Sequence, residues 1–160
     1  MGDLAVNESP AEYSLRAPAT LVDSCVLIDV LADDAQWASW SLDQLERQAT
    51  AGSLVINPLI LAELAARYER AADLEAALAG LPLLREPLPW DAAFLAGQAF
   101  RVYRLAAGVK TSPMPDFYIG AHALVRGMRL LTRDVRRYSN YFPKLDIVGP
   151  AAGMEQGTST

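Results

Sequence analysis

Residues 20–28 read TLVDSCVLI, a short apolar run that ends in an acid and is followed by a second apolar run. The first run has the length and composition of a buried strand, and the second has the character of a helix. A strand that passes directly into a helix is typical of a βαβ unit. This stretch therefore predicts an α/β fold with a mainly parallel sheet, in which ligands bind beyond the carboxyl ends of the strands.

The rest of the chain repeats this alternation of short strands and helices. Strands are predicted over residues 20–23, 54–56, 83–86, 129–132 and 145–148. Helices are predicted over residues 24–31, 35–51, 58–70, 72–79, 89–107, 116–126 and 134–141. The pair Asn57-Pro58 has the form of a helix start, with a capping side chain before proline at the first helical position. Gly127 is expected to end the helix that precedes it.

The composition is that of one globular domain with few options for soft-metal or thiol chemistry. The chain has 160 residues, of which 52% are hydrophobic and 21% charged, enough to bury a core without disulfides. A single cysteine, Cys25, and a single histidine, His122, exclude an internal disulfide, a zinc finger and a paired-histidine nuclease. We interpret Cys25 as a small core residue and His122 as a packing or surface residue.

The two ends of the chain differ from its middle. We expect an N-terminal extension over residues 1–19, a single domain over 20–149 and a flexible tail over 150–160. The first twenty residues lack the basic start and apolar run of a signal peptide, and no stretch has the roughly 18 apolar residues of a membrane span. The sequence therefore predicts a cytoplasmic protein without a membrane segment.

Charge is distributed unevenly along the chain. The net charge is −5, yet residues 101–144 hold nine of the fourteen Lys and Arg and only two of the nineteen Asp and Glu, which gives +7 there and −12 elsewhere. This asymmetry is compatible with a phosphate-bearing partner on one part of the surface. Solvated helix faces would explain it equally well.

Four acids occupy unusual positions: Asp23, Glu63, Asp116 and Asp134. Asp23 and Asp134 follow predicted strands, Asp116 opens a helix, and Glu63 is the only polar residue in LILAELAA at 59–66. In a parallel sheet, all four would converge on one edge. Clustered carboxylates repel and burial raises their pKa values, so a divalent cation relieves the cost, and oxygen ligands suit Mg²⁺ or Mn²⁺.

Each acid also has a simpler explanation. Asp116 and Asp134 have the positions of helix N-caps, Asp23 that of a cap on the turn after its strand, and Glu63 that of a side chain facing water. Taken singly, each acid is explained as well by capping or solvent exposure, whereas the four together, in this order and on these elements, favour a metal site.

Four segments of the chain resemble one known family: VDSCVLID at 22–29, INPLILAEL at 56–64, PDFYIGAHA at 115–123 and LLTRD at 130–134. In this order and spacing, over about residues 21–148, the chain resembles the PIN-domain family and, within it, the VapC-type toxins of bacterial toxin–antitoxin pairs. The resemblance implies a PIN-like three-layer sandwich, with a central, mainly parallel sheet flanked by helices, over residues 20–149. It also implies a metal-dependent endoribonuclease, a hydrolase of RNA phosphodiesters.

The resemblance assigns roles to individual residues. It implies that Asp23, Glu63, Asp116 and Asp134 are catalytic and hold Mg²⁺ or Mn²⁺, with Thr132 in support. Many members have asparagine where Asp134 stands. Asp29 matches a frequent acid of the first segment for which no role is assigned, and the extension before residue 20 departs from the family pattern.

The resemblance also implies partners. A VapC-type toxin of a type II system is held inactive by a cognate VapB-type antitoxin, acts on RNA and is commonly a homodimer. The predicted helix segment over 37–45 is a candidate for either protein interface. Arg133, Arg136 and Arg137 are candidates to contact the RNA backbone, although a solvated helix start explains them equally well.

Two other classes of protein are not supported by the residues after the first strand. An aspartyl phosphatase needs Asp-x-Asp after the first strand, and a phosphorylated receiver needs an acidic pair there; Asp23-Ser24-Cys25 provides neither. A non-catalytic PIN-like binding protein and an RNA-processing nuclease without a toxin role stay open. Trp37, Trp40, Trp90 and Phe94, at helical spacing, are interpreted as core or interface residues.

Overall fold

The structure is a computed structural model that describes residues 18–106, 108–109 and 114–154. Five strands lie in it: β1 Thr20–Val22, β2 Leu54–Ile56, β3 Leu83–Arg85, β4 Arg129–Leu131 and β5 Ile147–Val148. Seven helices connect them: α1 Ser24–Leu31, α2 Ala38–Ala51, α3 Pro58–Ala65, α4 Ala71–Leu78, α5 Trp90–Leu105, α6 Pro115–Val125 and α7 Val135–Tyr141. Most of the predicted extension and the end of the predicted tail lie outside the described residues.

The five strands form one sheet in the order β3-β2-β1-β4-β5, and every pair is parallel. On the central strand β1, Leu21 lies opposite Val55 of β2 and Leu130 of β4. Crossovers between parallel strands are right-handed, so this order places α1–α4 on one face and α5–α7 on the other. The predicted α/β sandwich with a central parallel sheet is confirmed.

The strand order reverses beside β1, since the chain runs outward through β2 and β3 and then returns to β4. In an open parallel sheet, a crevice forms at the carboxyl ends of the strands where the order reverses. The residues that follow β1 and β4 therefore line the crevice of this fold.

Local signals explain where several helices begin and end. Asn57 caps α3, with its side-chain oxygen accepting the Ile60 N–H at 2.9 Å, and Pro58 occupies the first turn. Gly127 follows α6 with φ of 63°, the left-handed conformation that glycine adopts at low cost. The predicted helix over 35–51 begins only at Ala38, because Asp34 accepts the Gln36 and Trp37 N–H groups in a preceding turn.

Helix α5 packs through its small residues. Ala92, Ala96 and Ala99 are buried, whereas the exposed fraction is 94% for Trp90 and 74% for Phe94. The interpretation of these two aromatic residues as core is therefore wrong, and interface remains. The alanines allow α5 to approach its neighbours closely, and Leu95, Phe100 and Tyr103 pack against the core beside them, whereas Trp90 and Phe94 face outward.

None of the helices in the described ranges combines the length and the apolar character that crossing a bilayer requires.

The central strand carries much of the stability of the fold. Leu21 is fully buried on β1, whereas Leu84 on β3 is 57% exposed. We expect Leu21→Ala to lower the free energy of unfolding by about 2–5 kcal/mol, because it leaves a cavity in the core. Leu84→Ala, the matched control, should change it by about 0.5 kcal/mol or less. Urea unfolding measures both, and similar losses for the two variants would contradict this account of the core.

Candidate active site

The carboxyl edge of the sheet gathers the predicted site residues. Asp23 directly follows β1, and Thr132 directly follows β4. Helices in parallel α/β folds run back against the strands, so their N-termini lie at the same edge. Asp116, in the first turn of α6, and Asp134, at the N-cap of α7, are placed there by this rule.

Asp23 is the buried centre of the site, with only 5% of its surface exposed. Its Oδ1 accepts the Ser24 N–H at 2.8 Å, and its Oδ2 accepts the Thr132 hydroxyl at 2.8 Å. Burial raises its pKa to about 6; Thr132 opposes that rise, while the charges of Asp116 and Glu63 add to it. Asp23 therefore lies within electrostatic reach of two of the other predicted ligands.

Glu63 has one oxygen satisfied and one without a partner. Its Oε2 accepts the Ser24 hydroxyl at 2.6 Å, so the helix after β2 is connected to the helix after β1. Its Oε1 is buried and has no hydrogen-bond partner among the described residues. Burying a carboxylate oxygen without a partner costs free energy, and a bound cation would supply the missing partner.

Asp116 and Asp134 share one cation, Arg137. Its Nη1 lies 2.5 Å from Oδ2 of Asp116, and its Nε lies 3.1 Å from Oδ2 of Asp134. The Tyr138 hydroxyl also donates to Asp116 Oδ1 at 3.3 Å. Thr132 connects the two halves of the site, because its oxygen accepts the Asp134 N–H at 3.0 Å while its hydroxyl donates to Asp23.

The donor set fits a hard divalent cation in chemistry. All four side chains offer oxygen, one buried oxygen lacks a partner, and burial holds the pKa of Asp23 high. Across the described ranges, however, no three His, Cys, Asp or Glu side chains stand ready to hold an ion. The acids share an edge of the sheet without being gathered around one point.

Capping explains only one of the four acids. Asp23 caps α1 by accepting the Ser24 N–H. Asp116 is not a cap, since Met114 holds the N-cap position of α6, and Asp134 occupies the N-cap of α7 without a side-chain capping bond. Glu63 does not simply face water, because one of its oxygens is buried.

The three candidate arginines have different environments. Arg133 makes a two-pronged ion pair with the buried Asp29, at 2.7 and 2.9 Å, and its guanidinium lies 5.0 Å from the ring centre of Trp37. Arg136 is exposed, and no ion pair to it is seen within the described ranges. Arg137 is engaged by the acids of the site.

The ion pair gives Asp29 a structural role. Its Oδ2 also accepts the Ser41 hydroxyl at 2.7 Å, so Asp29 ties α1 to α2 and to the residue after Thr132. This network holds the loop after β4 against the first layer of helices.

Two residues that the sequence reasoning did not select contribute to the site. Ser24 bridges Asp23 and Glu63 through its backbone N–H and its hydroxyl. Tyr138 is buried, and burial raises its pKa well above 10, so it is a neutral donor to Asp116. Ser24 was signalled by its place next to Asp23; Tyr138 had no comparable signal, because α7 reads as a polar surface helix.

His122 and Cys25 are not reactive groups. His122 is fully buried, with Nδ1 lying 3.1 Å from the Asn57 side-chain nitrogen, so its interpretation as a packing residue is confirmed. Burial, reinforced by the charge of Asp23, raises the pKa of the Cys25 thiol to about 12. The thiol is therefore protonated and a poor nucleophile.

Comparisons with known proteins agree with this fold. The family model for the PIN domain matches residues 20–143. The chain belongs to the PIN domain family, as the resemblance predicted, and proteins of this family are generally divalent-metal-dependent. No curated protein matches the chain.

Solved structures of toxin–antitoxin complexes share the fold. A chain of VapBC2 from Rickettsia felis, bound to a DNA fragment from its promoter, matches with a TM-score of 0.64 and 15% identity, covering 82% of this chain and 98% of that one. A chain of DNA-bound VapBC from Salmonella typhimurium matches with a TM-score of 0.58 and 19% identity, covering 83% and 98%. A toxin–antitoxin complex from Klebsiella pneumoniae matches with a TM-score of 0.58 and 21% identity, covering 82% and 98%.

The buried histidine predicts a dependence of stability on pH. Burial lowers the pKa of His122 below 6.5, so the unfolded chain takes up a proton on this ring at a higher pH than the folded protein does. The free energy of unfolding should therefore fall as pH drops below about 6.5. In His122→Asn, this contribution should be absent. Urea unfolding at pH 7.5 and pH 5 tests it, and an equal loss in both proteins would contradict it.

Proposed function

We propose that this chain is a metal-dependent endoribonuclease and the toxin of a type II toxin–antitoxin pair, acting in the cytoplasm. The observation that carries the proposal is the placement of the four acids, Asp23, Glu63, Asp116 and Asp134, at the carboxyl edge of a PIN-domain sheet. Binding crevices of parallel sheets lie at this edge. A site of oxygen donors without histidine or a reactive thiol suits phosphodiester hydrolysis assisted by Mg²⁺ or Mn²⁺.

Asp23, Glu63, Asp116 and Asp134 would hold the cation, and Thr132 would orient Asp23 through the hydrogen bond between them. When bound, a divalent cation lowers the pKa of water and stabilises the charge that builds on the phosphoryl oxygens. The chain's own part is to hold the carboxylates in place. Ser24 and Thr132 do this by donating hydrogen bonds to Glu63 and Asp23.

We infer that arginines on and before α7 meet the RNA backbone. Arg136 is exposed one residue before Arg137 and has no ion pair among the residues that the structure describes, which supports a direct phosphate contact. Arg133 and Arg137 stay candidates, although each now has a protein partner, Asp29 or Asp116. Phosphate contacts of this kind supply affinity and position rather than base choice.

An antitoxin partner is supported by an apolar groove on the surface. Between α3 and α4 lies a mostly apolar groove of about 390 Å³, lined in part by Leu61, Ala62 and Tyr68. The groove follows the side of α3 that carries Pro58, Leu61 and Ala65, and it offers mainly apolar surface. We propose that the cognate VapB-type antitoxin places an apolar segment there.

A homodimer is supported by the outer face of α5. Trp90, Phe94 and Leu105 are exposed apolar side chains on this helix, and a patch of this kind marks a protein interface. Asp91 lies near the start of α5 and Arg101 near its end, so an antiparallel second copy would set opposite charges against each other. The segment over 37–45 is a poorer candidate, because Trp37 is only 7% exposed.

The nuclease assignment is tested with Asp116→Asn. The wild-type protein should cleave RNA with Mg²⁺ or Mn²⁺ and stop when EDTA is added. Asp116→Asn removes a negative ligand and should lower the cleavage rate by about a hundredfold or more, measured on defined RNA. Asp73→Asn is the matched control, since Asp73 is an exposed acid that also lies in the first turn of a helix, α4. Equal rates for the parent and Asp116→Asn would refute the assignment.

The dimer assignment is tested with Phe94→Glu. A charge in the middle of the apolar patch should convert a dimer into a monomer, measured by size-exclusion chromatography with light scattering. Ala76→Glu adds the same charge to an exposed position of α4 and should leave the mass unchanged. A parent protein that elutes as a monomer would contradict the proposal.

One observation favours a second candidate, a non-catalytic PIN-like binding protein. In the described part of the chain the acids are not gathered to hold an ion, and a guanidinium lies between two of them. RNA binding without cleavage at any metal concentration would support it. Cleavage without growth arrest on expression would instead indicate an RNA-processing nuclease without a toxin role.

A further inference from the structure

Arg137 occupies the acidic site as a cation would. One guanidinium bridges Asp116 and Asp134, which belong to different helices and are eighteen positions apart in sequence. It supplies the positive charge that these carboxylates otherwise lack. The buried half of the site, Asp23 and Glu63, has no ion pair with a cation among the described residues and depends on hydroxyl and backbone donors.

We propose that Arg137 is a built-in counter-ion of the site, which competes with the divalent metal for Asp116 and Asp134 and must leave them when the metal binds. This inference rests on the proposed metal-dependent function and adds a means of regulating it. The protein would then control the occupancy of its site through the balance between its own guanidinium and the ion.

Competition follows from the geometry of the carboxylates. The oxygens of Asp116 accept from Arg137 and, more distantly, from the Tyr138 hydroxyl. A Mg²⁺-like ion needs oxygen ligands at about 2.1 Å in a near-ideal arrangement. A guanidinium on the same oxygens would occupy their lone pairs and repel a second positive charge at short range.

The side chain of Arg137 is half exposed, whereas the next residue, Tyr138, is packed in the core. The exposed fraction is 52% for Arg137 and 1% for Tyr138. The helix backbone can therefore stay in place while the guanidinium turns outward. This separates Arg137 from Arg133, which is held by the buried Asp29 and is part of the scaffold.

The experiment compares Mn²⁺ binding by isothermal titration calorimetry in the wild-type protein, Arg137→Met, Arg137→Lys and Arg136→Met. Removal of the competing cation should tighten Mn²⁺ binding by roughly three- to tenfold in Arg137→Met, as expected for partly exposed ion pairs. Arg137→Lys retains the charge and should return the affinity towards the wild-type value. Arg136→Met removes one positive charge from the adjacent exposed position and should stay within about twofold of wild type.

Three results would overturn the inference. Equal affinities in Arg137→Met and Arg136→Met would show that the charge of Arg137 acts only at long range. Weaker binding in Arg137→Met would show that Arg137 positions the ligands. Unchanged affinity with a lower free energy of unfolding in metal-free Arg137→Met would make it a structural ion pair, with the proposed function intact.

A separate measurement tests the proposed function itself. In the same titration, Asp116→Asn should lose the Mn²⁺ binding of the wild-type protein. If Asp116→Asn binds Mn²⁺ as well as the wild-type protein does, or if neither the wild-type protein nor Arg137→Met binds Mn²⁺, the metal site is absent. The counter-ion inference then fails as well. Binding that depends on Asp116 but not on Arg137 refutes the counter-ion alone. Circular dichroism confirms that each variant is folded.

Discussion

The cost of keeping a buried carboxylate ionised beside other acids is the constraint around which this site is built. The fold brings acids from four separate elements to one edge of the sheet. Burial raises the pKa of the most buried one, Asp23, and the charges of Asp116 and Glu63 add to that rise. The structure offsets that cost in two ways. Hydroxyl and backbone groups donate hydrogen bonds to the buried acids, and the half-exposed guanidinium of Arg137 pairs with the more exposed ones. A metal ion would replace the second arrangement more readily than the first.

This division separates a rigid part of the site from an adjustable part. Ser24 donates to Glu63, and Thr132 contacts both Asp23 and Asp134. These contacts fix the buried part of the site to the ends of β1 and β4. The Asp29–Arg133 ion pair holds the loop after β4 against α1. Arg137 lies at the mouth, where its pairing with Asp116 costs little to break, because partly exposed ion pairs contribute about 1 kcal/mol or less.

Much of the fold could be predicted from local pattern, since short apolar strands and capped helices are encoded by neighbouring residues. The Asn57-Pro58 start of α3 and the Gly127 end of α6 are examples. The burial of α5 could not be predicted in the same way. Trp90 and Phe94 lie outside, whereas Phe100 of the same helix packs against the core, because which side of α5 faces inward depends on contacts with distant residues such as Phe117.

The amino-acid sequence was sufficient to predict where the four acids lie, Asp23 and Asp134 after strands and Glu63 and Asp116 on helices, because position on an element is a local property. Apart from the local contacts of Asp23 with Ser24 and of Asp134 with Arg137, the partner of each acid was decided by the tertiary structure. Arg133 and Arg137 are four residues apart and chemically alike, yet one is held by a buried aspartate of α1 and the other spans two acids of the site. That difference depends on which distant helix packs against each side chain, and no local pattern records such contacts.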